Sequence, residues 1–377
     1  MIMKKVLFIS SVLLTGYFVG AQDVTAVTGL TKGKIEFNDF RVINSNDLSS
    51  SSILLTKNDK INIEDQHTEM ERICSCGKYI AAMTESLKGD LFYIPMSGKK
   101  VMKIDVTSKT GTQFTYAGLD TNTPTQSNYF ARMTTAPDGY MYALNNAGTE
   151  FLKISESGSI QNLGALTQFV EKAKSFDKET AVYGGDMVAD AFGNIYVISA
   201  SQHVFKINPN KLNSEYMGQI KGLPANYTVN GAAVERDGSL LLGTTSKVGG
   251  LYSMNIDTLE ATFKTDYSLA VYDLSSPYFL RQSEMDEMTK DSGFSLYPTV
   301  VKNSELNIVS KSNESTVLNI SIWNLSEKQV LNNSISVKSA GDYQLKLNGR
   351  LLPGIYVLKA IDQNGKEVIN TKFTLLK

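Results

Sequence analysis

The sequence predicts an all-β protein in which a β-propeller of five or six blades is followed by a small, immunoglobulin-like β-sandwich. Three observations lead to this fold class. A tight turn followed by strands recurs four times between residues 78 and 279, a polar stretch interrupts the pattern at residues 281–292, and short alternating strands fill residues 293–377. We therefore expect two folded units joined by a linker.

The composition excludes several classes of partner. The chain carries 37 Lys and Arg residues against 38 Asp and Glu residues, for a net charge of -1. Without a basic surplus, neither nucleic acid nor an anionic membrane surface is a favoured partner. A hydrophobic content of 42% in 377 residues is ordinary for a globular protein of about two domains.

The N-terminus has the three parts of a secretory signal peptide. Lys4 and Lys5 supply the positive charge, residues 6–19 the apolar core, and Val19, Gly20 and Ala21 a small-residue cleavage site. The alternative is a membrane anchor, but the apolar run is shorter than the ~20 residues that span a bilayer. We expect residues 1–21 to be removed, and the mature chain to have no transmembrane segment.

Cys74 and Cys76 are the two cysteines of the chain. One interpretation is two free thiols in or beside a strand. The other is a local, redox-sensitive disulfide between them, although a disulfide across a single residue is strained. The sequence leaves their role open.

The repeat is defined by four turn glycines separated by 50, 54 and 45 residues, namely Gly89, Gly139, Gly193 and Gly238. A period of ~40 to 50 residues that holds several short strands is typical of propeller blades. Residues 265–279 look like a further inner strand that closes the ring. Residues 31–77 would then form a degenerate first blade or an outer strand that seals the circle, so the propeller spans residues 22–280.

Counting back seven residues from each turn glycine selects equivalent positions of the inner strands. These positions are Ala82, Arg132, Asp186 and Gly231, with Asn230 one residue earlier. Because equivalent positions of a ring converge, Arg132, Asp186 and Asn230 are expected near one end of the channel. Either they form a ligand or metal site, or Arg132 and Asp186 form an ion pair in which each side chain satisfies the charge of the other. His203 is expected in a solvated loop.

The strand-turn-strand segments GDLFYIPM, DGYMYALN, FGNIYVIS and DGSLLLGT resemble those of NHL and lactonase-like (SMP-30-type) propellers over residues 78–279. In the lactonase-like enzymes a Glu, an Asn and an Asp hold a divalent metal at the channel mouth. The resemblance implies that Asp186 and Asn230 are metal ligands, with calcium or zinc as the cofactor. Here Asn230-Gly231 and Gly185-Asp186-Met187 look like the Asn-Gly and Asp-Gly-Met elements of these enzymes. They occur in reverse chain order, and no Glu stands at the corresponding place.

Residues 293–377 contain about seven short strands with turn residues between them. Leu318, Ile320 and Ile322 alternate with Asn319 and Ser321, as a strand with one buried face requires. The preceding stretch RQSEMDEMTKDS, residues 281–292, is polar and predicts a linker.

Five motifs follow one another in this unit: SLYPTVV, ELNI, ISIWNLSEKQV, LPGIYVLKA and a terminus that ends in lysine. In this order they resemble the type A C-terminal sorting domain of the type IX secretion system. The resemblance assigns the sorting signal to Pro298, Gly354, Tyr356 and Lys377. It implies a Gram-negative host, passage through the periplasm, and translocation by the outer-membrane secretion machinery as partner. The protein would be released or held on the outer face of the outer membrane.

Two functions remain for the propeller. One is a secreted or cell-surface module that binds a protein or glycan, favoured because no catalytic constellation stands out. The alternative is a metal-dependent hydrolase or lactonase with its site at the channel mouth. The sequence assigns no catalytic residue and names no ligand.

Overall fold

A computed structural model describes residues 24–34, 36, 39–63, 71–72, 80–96, 100–116, 119, 126–167, 183–288, 293–297, 300–301, 305–324, 326, 328–347 and 351–375. More than half of these residues lie in β-strands, and very few lie in helices. The predicted signal peptide, Cys74, Cys76, Pro298 and Lys377 lie outside them. Within the described ranges, no helix is long and apolar enough to cross a membrane.

The first unit consists of five sheets of antiparallel neighbours, with one parallel pairing at the edge of the second sheet. The first sheet contains β1 (Val24–Gly29), β2 (Asp39–Ile43), β3 (Ser51–Thr56) and, from the far end of the unit, β22 (Ala270–Ser275). The second contains β4 (Lys60–Ile63), β5 (Glu71–Arg72), β6 (Ile80–Glu85), β7 (Leu91–Pro95), β8 (Lys100–Asp105) and β9 (Thr110–Thr115).

The remaining three sheets each have four consecutive strands. The third contains β10 (Phe130–Thr135), β11 (Met141–Asn145), β12 (Phe151–Ile154) and β13 (Ile160–Gly164). The fourth contains β14 (Asp186–Ala189), β15 (Ile195–Ile198), β16 (His203–Asn208) and β17 (Asn213–Gln219). The fifth contains β18 (Gly231–Val234), β19 (Leu240–Gly243), β20 (Leu251–Asn255) and β21 (Glu260–Thr265).

The five sheets form a closed ring. The first strands of successive sheets contact one another in the order β6, β10, β14, β18, β22 and back to β6. Strand β22 pairs with β1, so the sheet that closes the ring joins strands from both ends of the unit. The unit is therefore a β-propeller. Residues 265–279 contain the inner strand of the closing sheet, while β2 and β3 form its outer part rather than a blade of their own.

The four turns found in the sequence connect the first and second strands of four sheets. Their glycines have φ values of 77° to 89°, a region that L-residues with a side chain rarely adopt. Hydrophobic side chains then pack between neighbouring sheets, so that each core cluster joins two blades. In four sheets the inner strand is the one that precedes this turn, so the residues at which these strands begin lie at equivalent places of the ring.

The second unit has two sheets around one apolar core. One contains β23 (Phe294–Tyr297), β25 (Glu305–Ser310) and β28 (Gly341–Lys346). The other contains β24 (Val300–Val301), β26 (Thr316–Asn324), β27 (Gln329–Val337), β29 (Gly354–Ile361) and β30 (Glu367–Leu375). Leu318, Ile320 and Ile322 are buried and Asn319 is exposed, which agrees with the predicted alternation in β26.

The segment between the two units contains helix α1 (Gln282–Met288). Met285 on this helix is buried in a small apolar cluster with Phe192 of the propeller and Val309 of the second unit. Phe192 also makes an edge contact with Tyr297, with ring centroids 5.8 Å apart. Sequence patterning did not predict this helix, because the buried Met285 is held by tertiary neighbours rather than by a repeated apolar stripe.

Candidate functional site

A cavity of about 530 Å³ opens at the end of the channel where the inner strands begin. We call it the mouth cavity. Its lining comes from strands of the first three sheets and from residues that flank strands of the other two. It consists of Val27, Ile80, Ala81, Met96, Gln126, Tyr129, Ala131, Asn146, Gly184, Gly185, Asn230, Thr245 and Tyr272. The aliphatic and aromatic walls with a few polar groups are typical of small-ligand pockets.

Asn230 precedes β18 and is held in one orientation. Its Oδ1 accepts hydrogen bonds from the Thr245 backbone N (3.0 Å), the Thr245 Oγ1 (3.0 Å) and the Thr228 Oγ1 (2.9 Å). A backbone N–H can only donate, so the amide oxygen must face Thr245. The Asn230 amide N–H₂ is therefore directed away from these partners, and the residue lines the cavity.

Tyr272 gives the cavity a fixed aromatic wall. Its hydroxyl donates to the Lys34 carbonyl oxygen (2.5 Å) and accepts from the Glu36 backbone N (2.6 Å). Both partners lie on the loop after β1, so the ring is anchored at its polar end. Tyr129, half-buried before β10, adds a second ring to the lining.

The rim is also preorganised by Asn146. Its Nδ2 donates to the Gln126 carbonyl oxygen (2.8 Å), and its Oδ1 accepts from the Gly184 backbone N (2.9 Å). At Gly185 the backbone passes so close to the next strand that a Cβ atom would collide with the Ile198 carbonyl oxygen. The position also has a φ of 86°, so glycine is required there.

Beneath the cavity lies a ring layer made of equivalent positions of the five inner strands: Ala82, Arg132, Asp186, Gly231 and Asp273. Arg132 is fully buried, and its Nε donates to the Gly184 carbonyl oxygen (2.9 Å) while Nη1 donates to the Asn145 carbonyl oxygen (3.3 Å). Burial lowers the pKa of Arg132 to about 9, and the nearby Asp186 charge opposes this shift.

The Asp186 carboxyl connects three strands. Its Oδ2 accepts from the Ala232 backbone N on β18 (2.7 Å), its Oδ1 accepts from the Met187 backbone N (2.7 Å), and it hydrogen-bonds to the Asp273 carboxyl. Burial raises the pKa of Asp186 to about 7, although the backbone donors oppose the shift. At Gly231, the next position of the ring layer, an added Cβ would collide with the Asp273 backbone and with Leu274, so glycine allows β22 to approach β18 closely.

Asp273 repeats this arrangement one step around the ring. Its Oδ2 accepts from the Met83 backbone N on β6 (2.8 Å). Its Oδ1 accepts no hydrogen bond from an N–H or O–H group in the described part of the chain. Burial and the Asp186 charge raise the pKa of Asp273 well above its usual value. Both carboxyls have raised pKa values, so the pair retains a proton that isolated carboxylates would release.

The three residues selected from the sequence occupy two levels of the channel. Arg132 and Asp186 lie in the ring layer, where they bind neighbouring strands, and Asn230 lies in the mouth cavity above them. Asp186 and Asn230 have different hydrogen-bond partners. Within the described residues, no group of three or more His, Cys, Asp and Glu side chains could hold a metal ion.

Sequence reasoning missed Asp273, Tyr129 and Tyr272. Asp273 holds the same register position as Asp186, but β22 is followed by no turn glycine, because the closing sheet continues with a strand from the N-terminal end of the unit. The expectation for His203 was wrong. This side chain is buried at the start of β16, and its Nδ1 lies 2.8 Å from the Tyr216 hydroxyl, a partner on the neighbouring strand.

A family described as "Repeat of unknown function (DUF6923)" matches residues 96–272. No curated protein matches the chain. Among solved structures, a protein of unknown function from Bacteroides caccae is similar, with 12% identity, a TM-score of 0.38 and coverage of 94% of each chain. Virginiamycin B lyase from Staphylococcus aureus has 9% identity and a TM-score of 0.35, covering 95% of this chain and 96% of the lyase.

PorZ, a surface component of the type IX secretion system of Porphyromonas gingivalis, has 12% identity and a TM-score of 0.33. The similarity covers 94% of this chain and 51% of PorZ. All three TM-scores lie below 0.5, so the propeller assignment rests on the strand pairing of this chain.

Proposed function

We propose that this chain is a secreted or cell-surface β-propeller protein, exported by the type IX secretion system, that binds a protein or glycan in its mouth cavity. The observation that carries the binding role is the cavity itself. Its volume of about 530 Å³ falls within the ~300 to 1,000 Å³ of small-ligand sites, and polar groups of fixed orientation stand among apolar walls.

We infer a five-bladed propeller over residues 22–280. The support is the contact of five inner strands in a closed cycle, with β22 and β1 paired across the two ends of the unit. We infer that residues 293–377 form an immunoglobulin-like sandwich, since a three-stranded and a five-stranded sheet enclose a single core.

The export role rests on the sequence at the two ends of the chain. In the sorting-domain motif, Gly354 begins β29, and Tyr356 stacks on Phe373 of β30 with ring centroids 5.6 Å apart. The motif thus contributes to the sandwich core as well as to its surface. The secretion machinery of the outer membrane is the proposed partner, and the periplasm the proposed route.

Metal-dependent hydrolysis at Asp186 and Asn230 draws less support from the geometry. Both Asp186 oxygens accept backbone N–H groups, and Asn230 Oδ1 accepts three hydrogen bonds. These oxygens, the atoms that calcium or zinc would need, already stabilise neighbouring strands. We therefore favour a binding protein over an enzyme.

The binding role is tested by filling the mouth cavity. Ala131 lines the cavity, so Ala131→Trp should block it, whereas Ile53→Trp adds the same side chain at a 54% exposed position on the outer strand β3. The measurement is binding of the mature chain to printed glycan and peptide arrays. We expect the wild type and Ile53→Trp to bind the same spots and Ala131→Trp to lose them. Equal binding by all three would place the ligand elsewhere.

A further inference from the structure

The geometry points to a proton-dependent contact between the two units: the sandwich binds the propeller at Phe192, and the contact weakens when Asp342 of the sandwich loses its proton. This property is independent of the ligand of the mouth cavity. Three features support it: the small extent of the contact, the hydrogen bonding of Asp342, and the charges that the propeller places against it. We call the contact the junction; its members are Asp190, Ala191, Phe192, Met285, Tyr297, Val309 and Asp342.

The junction is small. Its apolar part is the cluster in which Phe192 of the propeller and Met285 of α1 are buried. Beside it, Lys211 Nζ lies 3.0 Å from Glu305 Oε2, an ion pair between the units that is exposed to solvent and so contributes little to stability. Within the described residues, no strand of the propeller pairs with a strand of the sandwich. A contact of this extent can be shifted by the charge of a single group.

Asp342, on β28, has only part of the hydrogen bonding that an ionised carboxylate needs. Its Oδ2 accepts a hydrogen bond from the Tyr297 hydroxyl. Its Oδ1 is buried and accepts no hydrogen bond in the described part of the chain. A carboxylate has two oxygens that require donors, so the buried Oδ1 favours the protonated form of Asp342.

The charges that act on Asp342 across the junction belong to the propeller. They are Asp190 in the turn after β14, Lys206 on β16 and Lys211 in the turn after β16. Asp190 is fully buried and is fixed within the propeller, where its Oδ1 accepts from the Phe192 backbone N (3.0 Å). A second carboxyl therefore faces Asp342 whenever the two units are in contact, and like charges disfavour the ionised form.

The other charged groups described on the surrounding elements have partners of their own. In the linker and on α1, Arg281 pairs with Glu284 and Asp286 pairs with Lys311, while Glu287 also has a partner. On β17, Glu215 lies opposite Lys206, and Lys346 lies at the far end of β28. None of these described ion pairs includes Asp342.

Burial raises the pKa of Asp342 to about 6 and the Asp190 charge adds to the shift, while the Tyr297 hydroxyl and the two lysines oppose it. When the sandwich leaves the propeller, water returns this pKa towards the ~4 of an exposed aspartate. Between about pH 4 and 6 the closed junction then holds more proton than the open one. This contribution to closure is complete below about pH 4 and is lost as the pH rises through 6.

The experiment follows the oxidation of Met285 by hydrogen peroxide in the mature chain, residues 22–377, between pH 4 and 8. Met285 is 1% exposed, so its oxidation rate, read by peptide mass spectrometry, reports the fraction of open junction. Met254, in the propeller core, reports global unfolding in the same sample. A methionine peptide added to each sample corrects for any effect of pH on the reagent.

Asp342→Asn removes the titrating group and keeps an oxygen for the Tyr297 hydroxyl. Glu367→Gln removes a carboxylate at an exposed position of β30 and is the control. Tyr297→Phe keeps the ring contact with Phe192 but removes the donor that stabilises the ionised form of Asp342.

We expect Met285 oxidation in the wild type and in Glu367→Gln to rise by up to about 100-fold between pH 4 and 7, about tenfold for each pH unit up to 6. In Asp342→Asn the rate should stay low throughout. In Tyr297→Phe the rise should continue to a higher pH than in the wild type.

A wild-type rate that does not change with pH, or an equal rise in the wild type and Asp342→Asn, would overturn the inference. If Asp342→Asn also accelerates the oxidation of Met254, this variant unfolds as a whole and Tyr297→Phe decides. A rise in Tyr297→Phe that ends at the same pH as in the wild type would then show that Asp342 does not control the junction.

Discussion

The propeller and the C-terminal sandwich are both built from antiparallel strands, but different groups occupy their centres. The centre of the propeller contains Arg132, Asp186 and Asp273, which bind backbone groups on neighbouring blades. The sandwich encloses a single apolar core that includes Leu318, Ile320 and Phe373. A ring must connect each blade to the next at its narrow centre, whereas two stacked sheets need only bury their facing side chains. The two units should therefore respond differently to truncation, substitution and pH.

The largest expected effect separates the roles of the two units in export. A chain that ends at Arg281 lacks α1 and the sandwich but keeps the inner strand that closes the ring. We expect it to be made, lose its signal peptide and accumulate in the periplasm, while the full chain reaches the surface or the medium. The measurement is cell fractionation of a host that has the type IX secretion system.

The control attaches residues 281–377 to an unrelated periplasmic reporter, which should then be exported. The truncated chain should keep nearly all of its thermal stability, since the closed ring leaves no unpaired inner strand, although removal of Tyr297 and Val309 uncovers Phe192. Export of the truncated chain at the level of the full chain would show that the sandwich has another role.

The second prediction concerns the apolar core of the sandwich. Ile320 is fully buried on β26, so Ile320→Ala should destabilise the sandwich by ~2 to 5 kcal/mol through loss of burial and the cavity that remains. Val317→Ala on the same strand, at a 38% exposed position, should change stability by less than about 1 kcal/mol.

Urea unfolding can follow the two units separately, because Trp323, the one tryptophan of the chain, lies on β26. Its fluorescence reports the sandwich, and circular dichroism reports both units. The Ile320→Ala change should move the fluorescence transition and leave a propeller transition in the circular dichroism. A joint shift of both signals would mean that the units unfold as one.

The third prediction is a pH dependence of the propeller that originates in the ring layer. The pKa of Asp186 is raised to about 7 and that of Asp273 is raised well above its usual value, so the folded state holds protons that the unfolded chain releases above about pH 4. This contribution to stability is complete below about pH 4 and is lost as the pH rises through 7. Between about pH 4 and pH 7, each proton that the folded state retains makes the unfolding equilibrium constant rise by up to about tenfold for each unit of increase in pH.

Asp273→Asn should reduce this slope by one proton, since the amide donates permanently to Asp186 and its oxygen still accepts from the Met83 backbone N. Asp257→Asn, at an exposed turn position, should keep the wild-type slope. The measurement is the propeller transition in urea between pH 5 and 8. Equal slopes in the wild type and Asp273→Asn would mean that the two carboxyls share no proton.

Local sequence patterns predicted much of the architecture. The turn glycines needed a left-handed conformation, and their spacing repeated because each blade is one local strand unit, so the propeller followed from short-range rules. The alternation in β26 likewise predicted a strand with one buried face. The convergence of Arg132 and Asp186 followed from register, since equivalent positions of a ring lie at the same height.

By itself, then, the sequence determined the repeating strands and turns, the order of the two units and which positions of four inner strands share a layer, because these depend on residues close together in the chain. Only the tertiary structure decided that Asp273 pairs with Asp186, that threonines orient the Asn230 amide, that Tyr272 is anchored as a cavity wall, and that α1 forms around Met285. Each of these contacts joins groups on different strands or segments, and Asp273, which shares the register position of Asp186, has no turn glycine from which the repeat could locate it. Their distances are set by how the blades close into a ring and how the sandwich lies against it.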